Sequence, residues 1–332
     1  MKVQRLTFLG ELRVWHTLSP DGRRFAVSTY HDLYVGNVDG SDVQRISSDG
    51  PFLAPSFSPD GSRIVCSDGS QYYEADNLYD LSILDTSTGS KHRLTDTGDE
   101  TKPVFSPDGT IVFVSRKDGA YNISRLRPET AGMPQLTHAK SRGNTVLSTY
   151  EDPVPSPDGE SIYCKSSAHS RSRMSAPEVY RIDFDGGMQQ RLTFTDGKVC
   201  EFLVSPDGTR IAFSVYAGER TPGHPAVDIW LMNADGTDQK MLDEGVSVNF
   251  FGSFSPDGKS IAISSSRERI PQANRSVAWR IYLISTVSGE ASRLTESNVA
   301  DKRPLFSRSG DEIVFVSNRD GPGDLYLLTA FR

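Results

Sequence analysis

Charged and aromatic residues recur at one position of this chain, four residues before the serine of a repeated Ser-Pro-Asp-Gly tetrapeptide or its degenerate last copy. This position and the residues beside it supply the first candidate ligand-binding set: Trp15, His16, Lys102, Asp152, Glu201, Lys302 and Arg303, with Phe251 as a further aromatic. The cations could neutralise an anionic small molecule, and the rings could stack on a flat ligand. The alternative is a set of ion pairs around trapped water, with no ligand.

Four polar segments are much longer than the corresponding segments elsewhere, and they are residues 67–80, 166–177, 216–227 and 265–278. They supply the remaining candidates, Arg220, His224, Arg269 and Arg275. Long irregular loops on a rigid scaffold are where binding residues concentrate. Arginine enrichment in an acidic chain therefore predicts an anionic ligand or an acidic partner surface. The alternative is a solvated loop rim whose charges only maintain solubility.

No catalytic motif accompanies these residues. The six histidines are dispersed without His-Glu-x-x-His spacing, and no Gly-x-Ser-x-Gly elbow occurs. Three scattered cysteines are too few for a disulfide framework or a cysteine metal site. We therefore predict no catalytic residue, no metal ligand and no cofactor, while a divalent metal bound in a central channel stays open.

Two short sequence motifs, called words below, repeat along the chain and predict the strands and turns that position the candidate ligand-binding residues. Ser-Pro-Asp-Gly occurs at 19–22, 58–61, 106–109, 156–159, 205–208 and 255–258, and Ser-Arg-Ser-Gly follows at 307–310. Words like Arg-Leu-Thr run in phase at 5–7, 45–47, 93–95, 135–137, 191–193, 241–243 and 293–295. Proline, aspartate and glycine in this order are typical of a tight hairpin turn. Each unit therefore predicts a four-stranded antiparallel meander, the blade of a β-propeller.

Seven such units predict an all-β, seven-bladed propeller in a single domain over residues 1–332. The predicted blades cover approximately 11–47, 50–95, 99–137, 145–193, 198–243, 247–295 and 300–329 plus 3–7. The last unit lacks a fourth strand, and the N-terminus carries an extra one over 3–7. We expect the two to pair and close the ring, because this removes two exposed sheet edges. The hairpins then share one face, and the longer loops lie on the other.

The composition of the chain argues against two classes of binding partner. The formal net charge of −7 argues against binding to nucleic acid or to an anionic membrane. No apolar run is long enough for a membrane helix, and residues 1–10 lack the apolar core of a secretion signal. We expect a soluble monomer, cytoplasmic as the sequence stands, or periplasmic or secreted if a leader was removed.

The Ser-Pro-Asp-Gly hairpins with Arg-Leu-Thr endings resemble the TolB-like, or PD40-type, propeller repeat over the whole chain, a WD40-like architecture. Similar repeats occur in the propeller domains of tricorn and prolyl-oligopeptidase-like proteases and in oligogalacturonate lyases. Those lyases hold a metal mainly with histidines of the last blades, whereas this chain reads Asp301-Lys302-Arg303-Pro304 there. The resemblance thus implies a propeller but not that lyase mechanism.

Two functions follow from these observations. The first is a non-catalytic binding or protein-interaction scaffold, whose protein partner or small anionic ligand docks on the long-loop face and the channel mouth. The alternative is an enzyme similar to oligogalacturonate lyase that acts on an acidic saccharide in the channel. In that enzyme, cations would neutralise a carboxylate and a nearby histidine or tyrosine would act as the base.

Overall fold

The computed structural model describes residues 1–10, 15–29, 31–69, 78–117, 119–130, 132–139, 141–142, 145–146, 148–168, 177–196, 198–221, 224–245, 248–267, 278–296 and 299–329. The fold is a seven-bladed β-propeller of antiparallel sheets, as the repeats predict. No helix that could span a membrane occurs in these ranges. The chain divides into two compact units, described separately below.

The second unit, Trp15–Asn37 with Asp42–Gly197, contains the first four blades. Blade 1 comprises β2 (Trp15–Leu18), β3 (Arg24–Ser28), β4 (Leu33–Asn37) and β5 (Gln44–Ser47), and blade 2 comprises β6 (Phe52–Phe57), β7 (Arg63–Asp68), β8 (Asp80–Asp85) and β9 (Lys91–Arg93). Blade 3 comprises β10 (Glu100–Phe105), β11 (Ile111–Lys117) and β12 (Ala120–Leu126), and a hairpin of β13 (Ser141–Arg142) and β14 (Thr145–Val146) follows it. Blade 4 comprises β15 (Tyr150–Pro155), β16 (Ser161–Ser166), β17 (Glu178–Asp183) and β18 (Gln189–Arg191).

The first unit, Met1–Val14, Val38–Ser41 and Lys198–Arg332, contains the last three blades. Blade 5 comprises β19 (Val199–Val204), β20 (Arg210–Thr221), β21 (His224–Asn233) and β22 (Lys240–Asp243), and blade 6 comprises β23 (Asn249–Phe254), β24 (Ser260–Ser265), β25 (Arg280–Ser285) and β26 (Ala291–Arg293). Blade 7 comprises β27 (Asp301–Phe306), β28 (Glu312–Ser317), β29 (Asp324–Thr329) and β1 (Lys2–Arg5). The pairing of β1 with β29, with Val3 opposite Leu328, confirms the predicted closure.

Two details differ from the sequence-based prediction. The fourth strand expected in blade 3 at 135–137 is reduced to a single bridge between Ser124 and Gln135. Pro134, which has no amide proton to donate to a ladder, directly precedes this bridge. Segment 216–227, expected as an irregular loop, instead extends the β20–β21 hairpin, with Tyr216 opposite Val227. The predicted blade boundaries and the single domain stay predictions.

The tetrapeptide folds as its composition predicts. In the hairpin at Ser58, the amide of Gly61 donates to the Ser58 carbonyl (2.8 Å), and Gly61 adopts a φ of 71°. The Ser58 hydroxyl donates to the Asp60 carboxylate (2.6 Å) and accepts from the Arg63 amide (2.9 Å). The same serine–aspartate bond recurs in the hairpins that begin at Ser19, Ser156, Ser205 and Ser255. These aspartates therefore shape turns.

The Arg-Leu-Thr word joins the fourth strand of a blade to its third. The Thr193 hydroxyl accepts from the Val179 amide (2.9 Å), and Leu192 is buried. Arg191 donates to the Thr193 carbonyl (2.7 Å) and to the buried Glu178 carboxylate (2.9 Å). Arg5 with Asp324 and Arg93 with Asp80 repeat the ion pair. In these three blades the arginine of this word is thus structural.

The core consists of apolar layers between successive blades. In the first unit, one layer joins blades 6 and 7, and it includes Ile281, Ile313, Phe315, Tyr326 and Leu328. Equivalent layers join blades 1 to 2, 2 to 3 and 3 to 4 in the second unit. Because blades 2, 3 and 6 bury both faces against neighbours of their own unit, the residues at their strand ends keep a fixed position.

Candidate ligand-binding site

A bulge in the innermost strand of several blades fixes how the predicted site residues are presented. The residues Ala54, Lys102, Asp152 and Arg303 each precede a proline and adopt φ angles of 49°, 53°, 53° and 55°. The ladder register shifts at each of these four positions. The amides that the bulges free bond to the neighbouring blade: Lys102 donates to the Ser67 hydroxyl (3.0 Å) and Arg303 to the Ser264 hydroxyl (2.9 Å). At the bulge, these side chains therefore do not follow the usual pattern in which successive residues of a strand point to opposite faces of the sheet.

In the second unit, the structure brings Lys102 and Asp152 together. The Lys102 ammonium lies 2.5 Å from one Asp152 carboxylate oxygen, and the Lys165 ammonium lies 2.8 Å from the other. Burial alone would raise the pKa of Asp152, but the two lysines outweigh it and lower that pKa. Lys102 and Asp152 therefore form an ion-paired group, which is the ligand-free alternative expected from the sequence.

Trp15 and His16 also belong to the second unit. They are consecutive residues of β2, opposite Ser28 and Val27, so their side chains point to opposite faces of the sheet. The Trp15 side chain is exposed, whereas His16 is partly buried. The two side chains therefore lie on different faces of blade 1, and their role in ligand binding stays a prediction.

In the first unit, Glu201 and Arg303 are electrostatically linked. One Glu201 carboxylate oxygen accepts from the Phe251 amide (2.9 Å), which engages this acid in the backbone of the next blade. Burial lowers the pKa of the Arg303 guanidinium, and the attraction of Glu201 offsets part of that lowering. Phe251, expected as a stacking residue, packs partly buried against the core between blades 5 and 6.

Lys302 lies in a different setting, beside two aromatic rings. Its ammonium is 5.2 Å from the centroid of the Trp279 ring, and the Trp279 and Phe250 rings are stacked with centroids 5.1 Å apart. Burial and the adjacent Arg303 charge lower the pKa of Lys302. Within the described part of the chain, no carboxylate ion-pairs with Lys302. We call Lys302, Arg303, Phe250 and Trp279 the cation–aromatic cluster.

The charge of blade 6 is reversed at one repeated position, next to this cluster. One residue of the third strand, or just before it, directly precedes the partner of the last Arg-Leu-Thr residue. It has a side-chain oxygen in the other blades: Asp32, Asp80, Asn122, Glu178, Asp228 and Asp324. In blade 6 this residue is the buried Arg280, directly after Trp279. Arg293, the arginine of the local Arg-Leu-Thr word, pairs instead with Glu296 at 3.3 Å. Blade 6 therefore departs from the structural pattern in the direction of positive charge.

The described part of the long segments contains one arginine that is engaged by the fold. Arg267, at the start of one such segment, forms two hydrogen bonds to the Asp243 carboxylate (3.2 and 2.9 Å) and stacks on Tyr282 at 4.7 Å. Arg220 and His224 lie in the extended β20–β21 hairpin. Arg269 and Arg275 lie outside the described residues.

Sequence reasoning missed the partnership of Phe250 with Trp279. It counted back a fixed number of residues from each hairpin and placed Phe251 beside the cations. A bulge between Phe251 and Ser253 shifts the register of β23, so the exposed ring is that of Phe250. The pair Trp279-Arg280, at a position where most blades carry an acid, is the sequence signal that could have revealed it.

Metal chemistry has a simple geometric requirement, three or more ligand side chains around one point. Among the described ranges, no three histidine, cysteine, aspartate or glutamate side chains are grouped in this way. The cation–aromatic cluster itself consists of two cations and two rings, which suit an anion.

Comparison with known proteins gives relatives of the same architecture. No protein-family model matches the chain. A TolB homologue of Chlorobium luteolum is 32% identical over 168 residues, 51% of this chain and 35% of that protein. The chain spans about a third of the length of the TolB homologues that it matches.

Solved structures agree on the fold. The crystal structure of TolB from Acinetobacter baumannii has a TM-score of 0.57 and 20% identity, covering 89% of this chain and 66% of that one. An oligogalacturonate lyase in complex with manganese has a TM-score of 0.59 and 15% identity, covering 99% and 97%. The solved structures show the seven-bladed propeller fold. The sequence similarity over about half of the chain, together with the repeats, is to TolB-like propellers.

Proposed function

We propose that the protein is a non-catalytic binding scaffold that receives an anionic ligand or an acidic protein surface at the cation–aromatic cluster. The observation that carries this proposal is the contrast between Lys302 and the other cations. Arg191 and Arg267 are engaged by carboxylates, whereas Lys302 faces an aromatic ring and a second cation. A pair of neighbouring cations gains most from an incoming anion, because the anion relieves their mutual repulsion.

The position of the cluster supports docking of a partner. Trp279 immediately precedes the third strand of blade 6, and Phe250 and Lys302 lie near the starts of first strands. In an antiparallel meander these positions share the end opposite the Ser-Pro-Asp-Gly hairpins. That end carries the connections between second and third strands, the long-loop face of the sequence prediction. The similarity to TolB homologues is consistent with a scaffold of this kind.

The test is calorimetric titration of the full chain with a short poly-glutamate peptide and with poly-lysine of equal length. Poly-glutamate should bind and poly-lysine should not, and added salt should weaken the binding. The double variant Lys302→Met, Arg303→Met should lose about tenfold or more in affinity. The control is Arg23→Met, Lys259→Met, which removes the same charge just after the glycine of two hairpins. Equal affinities of the two double variants would refute the proposal.

The second candidate is an enzyme acting on an acidic saccharide. It is favoured by the same two cations, which could neutralise a uronate carboxylate and so ease removal of a neighbouring proton. Incubation with oligogalacturonate, with and without added manganese, would reveal this activity through the ultraviolet absorbance of an unsaturated product. Product that disappears in Lys302→Met would replace the scaffold proposal with the enzyme.

A further inference from the structure

We propose that the cation–aromatic cluster is a site for a small aromatic carboxylate, with the carboxylate against Lys302 and Arg303 and the ring against Phe250 and Trp279. This inference rests on the proposed function and names its ligand class. A matching ligand has one negative charge directly attached to a flat apolar ring system.

The charge requirement comes from β27. Lys302 and Arg303 are consecutive, and both residues keep solvent-accessible surface although their charged groups are partly buried. Burial and, to a smaller extent, the adjacent Arg303 charge lower the pKa of Lys302, and an incoming anion would offset both effects. The ladder register shifts between Lys302 and Leu305, so these two side chains do not follow the ordinary alternation of a strand. A carboxylate that accepts from both would form charge-assisted hydrogen bonds, which are stronger than neutral ones.

The ring requirement comes from blade 6. The Phe250 and Trp279 rings lie 28° from parallel, and 40% of Phe250 remains exposed. Exposed stacked aromatics offer a flat apolar surface, and a further ring adds to such a stack at similar spacing. Lys302 already lies over the Trp279 ring, so the charged and apolar parts of the site are adjacent.

Backbone contacts hold the two halves in register. Ser264 lies opposite Phe250 in the ladder, and its hydroxyl accepts from the Arg303 amide (2.9 Å). The Trp279 carbonyl accepts from the Asp301 amide (2.9 Å), one residue before Lys302. The aromatic residues of blade 6 are thereby joined to the cations of blade 7 at two points. A site preorganised in this way loses little entropy when a small rigid ligand binds.

The neutral polar groups nearby do not suit a hydroxyl-rich ligand. Ser264 is fully buried and already bonded to Arg303, and Asn249, which precedes Phe250, is only 3% exposed. A sugar acid would give up hydrogen bonds to water without finding new partners among these residues. The cation–aromatic cluster therefore suits a ligand that combines a negative charge with an aromatic ring.

The experiment is calorimetric titration of the full chain with 2-naphthoate, acetate, 2-naphthalenemethanol and galacturonate. We expect 2-naphthoate to bind about tenfold tighter than each of the others, since only it satisfies both halves. Lys302→Met should weaken 2-naphthoate about tenfold, and Trp279→Leu should do the same, whereas Trp279→Phe retains a ring and stays within about threefold. The matched control Lys259→Met should leave affinity unchanged.

Three results would overturn the inference. Acetate could bind as tightly as 2-naphthoate, which would show that the ring makes no contact, or galacturonate could bind at least as tightly as 2-naphthoate, which would favour a saccharide. The third is an unchanged affinity of Lys302→Met for 2-naphthoate. If Trp279→Leu fails to fold, Phe250→Leu replaces it as the ring variant. Poly-glutamate titrated into the same preparation separates the two proposals. If poly-glutamate binds and 2-naphthoate does not, only the aromatic-carboxylate site is refuted. If neither ligand binds, the proposed anion-binding scaffold is refuted as well.

Discussion

Gly252 and Pro304 lie so close together that a Cβ atom at position 252 would overlap the Pro304 carbonyl oxygen. Gly252 is on the innermost strand of blade 6, and Pro304 follows the bulge of blade 7. The contact sets how closely these two blades approach, directly beside Arg303. Because the obstacle is backbone, it cannot be relieved by a change of rotamer.

Gly252→Ala should therefore lower the free energy of unfolding by about 3 kcal/mol, the upper range for overpacking. Urea unfolding followed by circular dichroism measures this change. Gly109→Ala is the control, because a Cβ atom there meets nothing within 4 Å although φ is 83°. That variant should lose only about 1 kcal/mol from backbone strain. Similar losses in both variants would show that the close approach is not the cause.

The ion pair that holds the N-terminal strand should matter more than exposed pairs. Asp324 is 1% exposed and accepts from Arg5, the Thr7 hydroxyl (2.8 Å) and the Leu9 amide (2.6 Å). Asp324→Ala leaves these donors without their acceptor and should cost about 3 kcal/mol. Hydrogen exchange should accelerate in the amides of β1 before global unfolding.

The exposed pair of Arg293 with Glu296 supplies the comparison. Their side chains are 37% and 78% exposed, so Arg293→Met should cost less than about 1 kcal/mol. An Asp324→Ala protein with wild-type stability and protected β1 amides would contradict the closure argument.

Acid should weaken the hairpins in a defined pH range. The Ser58 hydroxyl and the Ser62 amide lower the pKa of Asp60 to about 2, below the ordinary 3.8, and the Ser19 and Ser205 hydroxyls lower the pKa values of Asp21 and Asp207. A carboxyl whose folded pKa is below its unfolded pKa stabilises the fold above the unfolded value. That stabilisation is lost as pH falls through the folded value, between about pH 4 and pH 2.

Urea unfolding at a series of pH values measures this loss, and Asp60→Asn should make the slope shallower in that range. Direct carbon-detected NMR titration of Asp60 gives its pKa independently. A pKa of Asp60 at or above 3.8 would show that the contacts with the Ser58 hydroxyl and the Ser62 amide do not lower it.

Arg267 separates structural arginines from ligand-binding ones. The sequence places it in a long polar segment, but in the structure it is 16% exposed and bonded twice to Asp243. Arg267→Met should lower stability by about 2 to 3 kcal/mol, because it leaves a half-buried carboxylate without its partner. Affinity for poly-glutamate should stay unchanged at temperatures where the variant is folded. Loss of affinity with unchanged stability would move Arg267 into the binding site.

The parts of the fold that follow local chemistry could be predicted from sequence. Ser-Pro-Asp-Gly encodes its own turn through contacts within six residues, so the hairpins and the blade count are as expected. The pairing of β1 with β29 was predictable for a different reason, because the last unit lacks a fourth strand and the N-terminus carries an extra one. The shortened fourth strand of blade 3 begins directly after Pro134, which has no amide proton to donate. The extension of β20 and β21 contains Gly218 and Pro225, which are typical of loops but here lie at ladder irregularities.

The site was predictable only in part. Lys302 and Arg303 were found because they occupy a counted position in a repeat. Phe250 and Trp279 were not paired because a bulge changes the side-chain alternation and because the third strand of blade 6 follows a long segment. Whether Lys102 is engaged by Asp152 depends on the distance between two blades, which spacing along the chain does not give. The monomeric state and the cytoplasmic location stay predictions.

The strand pairing of Val3 with Leu328 also bears on how the chain folds. Blade 7 gains its outer strand only when two segments separated by almost the whole sequence meet, whereas the hairpins form from neighbours. The entropy of closing so long a loop grows slowly with its length, but contacts of this separation slow folding strongly. We expect the individual hairpins to form early and the last sheet to be completed late, so that a chain still emerging from synthesis holds its other blades with one edge open.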